Sequence, residues 1–119
     1  MAVRRIIANI AARDVAAARC FYGTVLGMTV VMDHGWIVTF ANPAEAMVPQ
    51  VSIASEGGSG TLVPDLSIEV DDFEAVHQRL IAHGFAIDYG PADEPWGVRR
   101  LYVRDPFGRL VNILRHSTD

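Results

Sequence analysis

Asp14 and Gly27 recur as Asp71 and Gly84, each displaced by 57 residues. An Asp before an apolar run can accept from the free N–H groups of a first helical turn. A glycine behind the run takes the left-handed conformation that closes a helix. Between them lie Ala18, Phe21, Tyr22 and Val25 in the first copy, and Phe73, Val76, Leu80 and Ile81 in the second. Both sets have helical spacing. The flanking strands also recur. In the first half, alternation marks residues 4–11, 28–32, 36–41 and 47–54. Asp33-His34-Gly35 and Asn42-Pro43-Ala44-Glu45 form the turns, and Pro49 marks an edge or bulge. In the second half the strands are 65–70, 85–89, 98–104 and 110–114. A Pro/Gly/acid loop spans 90–97, and Asp105-Pro106-Phe107-Gly108 is a type I turn. The expected fold class is α+β: two βαβββ modules forming a curved mixed sheet around a cleft. Module one covers about 4–54 and module two about 64–115, joined by a Gly-rich linker at 55–63 that reads as a flexible connection.

The chain has 119 residues, which suits one domain. Half of them are hydrophobic, enough for a core. The formal charge of −4, with no basic cluster larger than a pair, excludes a nucleic-acid or membrane-surface partner. Arg4-Arg5 and the apolar run behind them mimic a short signal peptide, but Asn9, Arg13 and Asp14 interrupt it. No apolar stretch approaches the roughly 18 residues of a membrane span, so a cytoplasmic protein is expected. Cys20, among Ala18, Phe21 and Tyr22, reads as a small core residue.

Arg13-Asp14, Phe21-Tyr22 and Leu26-Gly27-Met28 are followed by Ile68-Glu69-Val70-Asp71 and His83-Gly84-Phe85. Trp96-Gly97-Val98-Arg99-Arg100 and Arg104-Asp105-Pro106-Phe107-Gly108 come last. In this order the segments resemble the vicinal-oxygen-chelate superfamily, the glyoxalase/bleomycin resistance protein/extradiol dioxygenase group. The resemblance implies the paired βαβββ fold, a dimer and, in metal-dependent members, one His or Glu ligand on each of four strands. Carried over, those positions are Ile7, either Gln50 or Ser52, Asp65 and Asn112. An aliphatic side chain, one carboxylate, an amide and a weak oxygen donor are a poor set for a transition metal. No metal or other cofactor is therefore expected. The resemblance then points to a metal-independent small-molecule-binding protein like the bleomycin-resistance members. The alternative is an enzyme: a glyoxalase-like lyase or isomerase with an atypical metal shell, or acid/base chemistry by Asp65 or Glu69. A ring-cleaving dioxygenase does not fit the donor set.

Alternation aims Arg5, Ile7 and Asn9 into the cleft from the first strand, and Asp65, Ser67 and Glu69 from the fifth. Arg100 and Tyr102 face inward opposite Leu101 and Val103, as do Leu110, Asn112 and Leu114 on the last strand. Apolar walls with a few placed polar groups suit an unidentified small organic molecule. A plainer reading has Asp65–Arg100 or Glu69–Arg5 pairs neutralising each other beneath a homodimer interface. Trp96 stacks on a planar ligand, closes the mouth of the barrel or packs on a partner chain. The candidate ligand-binding set is Ile7, Asn9, Asp65, Ser67, Glu69, Trp96, Arg100, Tyr102 and Asn112. Trp36 alternates with Val38 and Phe40 and reads as core. Asp93 and Glu94 read as a solvated loop, and His34, His77, His83 and His116 as surface residues.

Overall fold

The computed structural model describes residues 7–41 and 52–117. The second half is a complete βαβββ unit. Leu66–Glu69 (β3) leads into Phe73–Ala82 (α1), followed by Ile87–Glu94 (β4), Val98–Arg104 (β5) and Leu110–His116 (β6). The sheet order is β3-β6-β5-β4. β3 and β6 run parallel, while β6, β5 and β4 are antiparallel neighbours. Asp72 opens α1, its side chain accepting the Ala75 N–H at 3.1 Å. Gly84 ends it with a φ of +80°.

The first half is less regular. A 3-10 turn, Val15–Ala17, runs into a π-helical segment, Arg19–Val25, where a regular helix over 15–26 is expected. Gly23, Thr24 and Val25 are weak helix formers. The wider turn still buries Phe21, Tyr22 and Val25. Asp14 holds the cap position without a side-chain hydrogen bond, so the two caps are not equivalent. Thr29–Asp33 (β1) and Val38–Ala41 (β2) pair as an antiparallel hairpin, a two-stranded sheet of its own. Its turn is held by the Gly35 N–H on Asp33 Oδ1.

The expected strands at 4–11 and 47–54 lie partly outside the described residues, as do Arg5, Gln50 and the Asn42–Glu45 turn. Residues 7–11 and 52–54 form no strand, because nothing described pairs with their backbone. β4 runs on to Glu94, where a loop over 90–97 is expected; register shifts on either side of Tyr89 let it accommodate Gly90-Pro91.

Alternation along β5 and β6 decides where the core sits. Leu101, Val103, Val111 and Ile113 are fully buried, against Phe73, Val76 and Leu80 of α1 and Phe21 and Val25 of the first helix. Ile81 is 59% exposed, because only the Phe73, Val76, Leu80 stripe meets the sheet. Trp36, expected on a strand over 36–41, is 77% exposed in the turn ahead of β2; among the described hairpin residues it is Phe40 that packs against the core. Cys20 is exposed, on the outer side of the first helix, with its Sγ 3.9 Å from His83 Nδ1. A buried polar link joins the halves. The Tyr22 hydroxyl donates to Asp105 Oδ2 at 2.8 Å, while Asp105 Oδ1 accepts the Phe107 and Arg109 N–H groups. The Asp-Pro-Phe-Gly turn thus anchors on a carboxylate that also receives the first helix.

Candidate ligand-binding site

The face of the four-stranded sheet turned away from the helices carries the polar residues that alternation assigns to it. Register places Ser67, Asn112, Tyr102 and Tyr89 in one row across β3, β6, β5 and β4. Glu69, Leu114, Arg100 and Ala92 form the next row. Asn112 is 7% exposed; its Nδ2 donates to Ser67 Oγ at 3.2 Å, and its Oδ1 is buried with no partner.

Arg100, 3% exposed, is the centre of a dense network. Its Nη2 lies 2.6 Å from Glu94 Oε2, and its Nε donates to the same oxygen at 2.9 Å. Nη1 donates to the Gly57 carbonyl at 2.7 Å and to the Tyr102 hydroxyl at 3.0 Å. Nη2 also donates to the Gly58 carbonyl at 3.1 Å. Tyr89 donates to Glu94, and three aromatic rings surround the guanidinium, with centroids at 5.4 Å for Tyr89, 5.0 Å for Trp96 and 4.9 Å for Tyr102. Removing charges from water costs several kcal/mol per ion, and this pair offsets that cost by satisfying almost every donor. Trp96 closes the network with one side of its ring and stays 51% exposed on the other. Beside it, Gly60, Thr61, Leu62, Asp88, Tyr89, Tyr102, Arg104 and Leu110 line a cavity of about 280 Å³.

The partner of Arg100 is Glu94, not Asp65. Asp65 is spent on the backbone, accepting the Leu110 N–H at 2.9 Å. Glu69 pairs with His116 at 2.7 Å on the exposed sheet edge. Glu94, expected to be solvated, has a side chain only 5% exposed, because extension of β4 carries it opposite Val98 and onto Arg100. Its neighbour Asp93 points outward, 75% exposed, as expected. Ile7 and Asn9 are both exposed and join no strand, so the structure does not bring them onto this face. The linker is an ordered loop laid over Arg100 and Tyr102, with Thr61 Oγ1 2.9 Å from the Tyr102 hydroxyl. Tyr89, Glu94 and Thr61 are the site residues the sequence reading missed. Extending the β4–β5 hairpin back from the Glu94-Pro95-Trp96-Gly97 turn would have found the first two.

The donors of the metal-dependent pattern do not fit a metal here. Ile7 offers no lone pair, Asp65 is engaged with the Leu110 N–H, the Asn112 amide oxygen carries no charge to offset a cation, and Ser52 is exposed. Among the described residues no three His, Cys, Asp or Glu side chains gather around a common point. Likewise, no described helix is long and apolar enough to cross a membrane.

The model of the Glyoxalase/Bleomycin resistance protein/Dioxygenase superfamily matches residues 5–113, and the chain belongs to that superfamily. Solved structures share its fold. TioX from Micromonospora sp. ML1 superposes with a TM-score of 0.63 at 20% identity, over 97% of this chain and 98% of that one. TnmS3, an antibiotic binding protein from Streptomyces sp. CB03234, gives 0.61 at 26% identity, over 87% and 88%. A lactoylglutathione lyase from Agrobacterium tumefaciens gives 0.60 at 21% identity, over 87% and 86%. No curated protein sequence matches the chain.

Proposed function

We propose that the protein binds a small organic molecule on the helix-free face of its four-stranded sheet, without a metal ion, in the manner of the antibiotic-binding members of its superfamily. The observation that carries this reading is Asn112. Its Oδ1 is a buried acceptor without a donor, in the middle of the polar row between Ser67 and Tyr102. A buried acceptor left unpaired costs about 1–3 kcal/mol, which a ligand N–H or O–H would recover. The half-exposed ring of Trp96 supplies a flat apolar wall nearby. The likeness to TnmS3 supports the same class of ligand.

The test is a calorimetric titration with a panel of aromatic antibiotics, bleomycin included. A ligand from the panel should bind wild type, and Asn112→Leu should weaken it about tenfold, the equivalent of about 1.4 kcal/mol. Absence of binding by every compound would defeat the reading. So would turnover of the methylglyoxal–glutathione adduct by the purified protein, which would favour a glyoxalase-like lyase or isomerase.

A further inference from the structure

The loop over Arg100 is fitted to its seat. A Cβ on Gly57 would collide with the Leu62 carbonyl and come within 2.5 Å of the Tyr102 hydroxyl. On Gly58, at φ +88°, it would stand 2.7 Å from the Trp96 ring. The loop closes on itself through the Gly57 N–H on the Thr61 carbonyl and the Thr61 N–H on the Gly58 carbonyl. Yet its grip is polar. Leu62 and Val63, its large apolar side chains, are 67% and 45% exposed, so lifting it would uncover little apolar surface. What it supplies to Arg100 is neutral oxygen: a carbonyl for each terminal nitrogen, and the Thr61 hydroxyl at 3.5 Å from Nη2.

We propose that residues 57–62 form a built-in plug, and that the ligand displacing it presents a pair of neutral oxygen acceptors, such as imide or quinone carbonyls, on a flat aromatic frame. The inference rests on ligand binding at this face and names the class of ligand. Charge selects neutral acceptors. Glu94 already balances Arg100 in a site almost closed to water. A carboxylate replacing the loop carbonyls would place two anions on one buried cation, at a large desolvation cost. Rings of Tyr89, Trp96 and Tyr102 at about the same distance from the guanidinium favour a flat occupant.

The probe pair is 1,8-naphthalimide and 1,8-naphthalenedicarboxylate, one frame with neutral or charged oxygens. Saturating imide should speed hydrogen exchange at the Gly57 and Thr61 amides, because these bonds close a short loop that loses the support of Arg100 and Tyr102 once it is displaced. Gly58→Ala, which pushes on Trp96, and Thr61→Ala, which removes a methyl and the hydroxyl that ties the loop to Tyr102, should each free the loop and tighten imide binding about tenfold, since a closed site taxes apparent affinity. The dicarboxylate should bind none of the three proteins. Imide binding that leaves both amides as protected as before, tighter binding of the dicarboxylate, or weaker imide binding by Thr61→Ala would each overturn the plug. No imide binding by any of the three, while an antibiotic from the panel still binds, would sink the ligand class alone. Failure of the antibiotics as well would sink the binding function.

Discussion

Tyr22 and Asp105 show how one pair of side chains ties distant segments together. The hydroxyl at residue 22 reaches a carboxylate 83 positions away, and that carboxylate holds a turn with its other oxygen. Burial, the hydrogen bond and the Asp105 charge all push the Tyr22 ionisation up, burial most. The direction fixes the pH dependence. An ionisation raised in the folded state favours the neutral phenol, so the contribution is intact below the ordinary tyrosine value of about 10 and falls away as pH rises past it. Tyr22→Phe should cost about 1–3 kcal/mol in urea unfolding at neutral pH, because it leaves a buried carboxylate oxygen unpaired. The gap between wild type and variant should narrow above about pH 10. A gap that widens with pH would contradict this account. At the same scale, Asp65 is a backbone partner and Ile7 has no donor, so elemental analysis of the purified protein should find no stoichiometric Zn, Ni, Mn or Fe. One such ion per chain, lost in Asp65→Ala, would reverse that conclusion.

The two helices test how far a shared pattern implies shared physics. Each follows an Asp and precedes a glycine at φ above +70°. Only Asp72 makes the side-chain cap, and it lies 58 residues beyond Asp14, one more than the glycine offset. Asp72→Ala should therefore destabilise the protein by about 1 kcal/mol, whereas Asp14→Ala should change thermal stability by only a few tenths. Equal losses would mean that Asp14 caps in solution. The β1–β2 hairpin is the other telling element. Two strands alone are marginal in water. Val31 is 59% exposed and Trp36 77%, so the hairpin presents apolar side chains that the described core does not cover.

For the whole molecule, the apolar side chains that the described residues leave open on that hairpin argue for association. We expect a homodimer burying on the order of 1,600 Å² or more. Light scattering at micromolar concentration should report twice the chain mass, and Trp36→Ser should shift the protein toward monomer if the hairpin lies in the contact. A wild-type monomer under those conditions would refute the expectation. The described residues also show why the linker matters beyond its length. It passes over the face that strand alternation leaves polar, so the segment connecting the halves also covers the candidate site.

Much of this was legible in one dimension. The α+β class, the βαβββ order of the second half, the core face of β5 and β6, the glycines behind the helices and the Asp-Pro-Phe-Gly turn follow from periodicity and local backbone chemistry, which act over a few residues. The inward placement of Arg100, Tyr102 and Asn112 follows from the same alternation. Other features required the third dimension. Alternation says which face a side chain takes but not what waits across it, so Arg100 found Glu94 instead of Asp65. Trp36, expected on the returning strand, falls in the turn ahead of β2 and stays in solvent, uncovered by the described residues. The glycine run looked like a tether by composition. Its place against Arg100, Tyr102 and Trp96 was decided by steric fit and hydrogen bonding between segments some forty residues apart, contacts that form only once the sheet has been assembled.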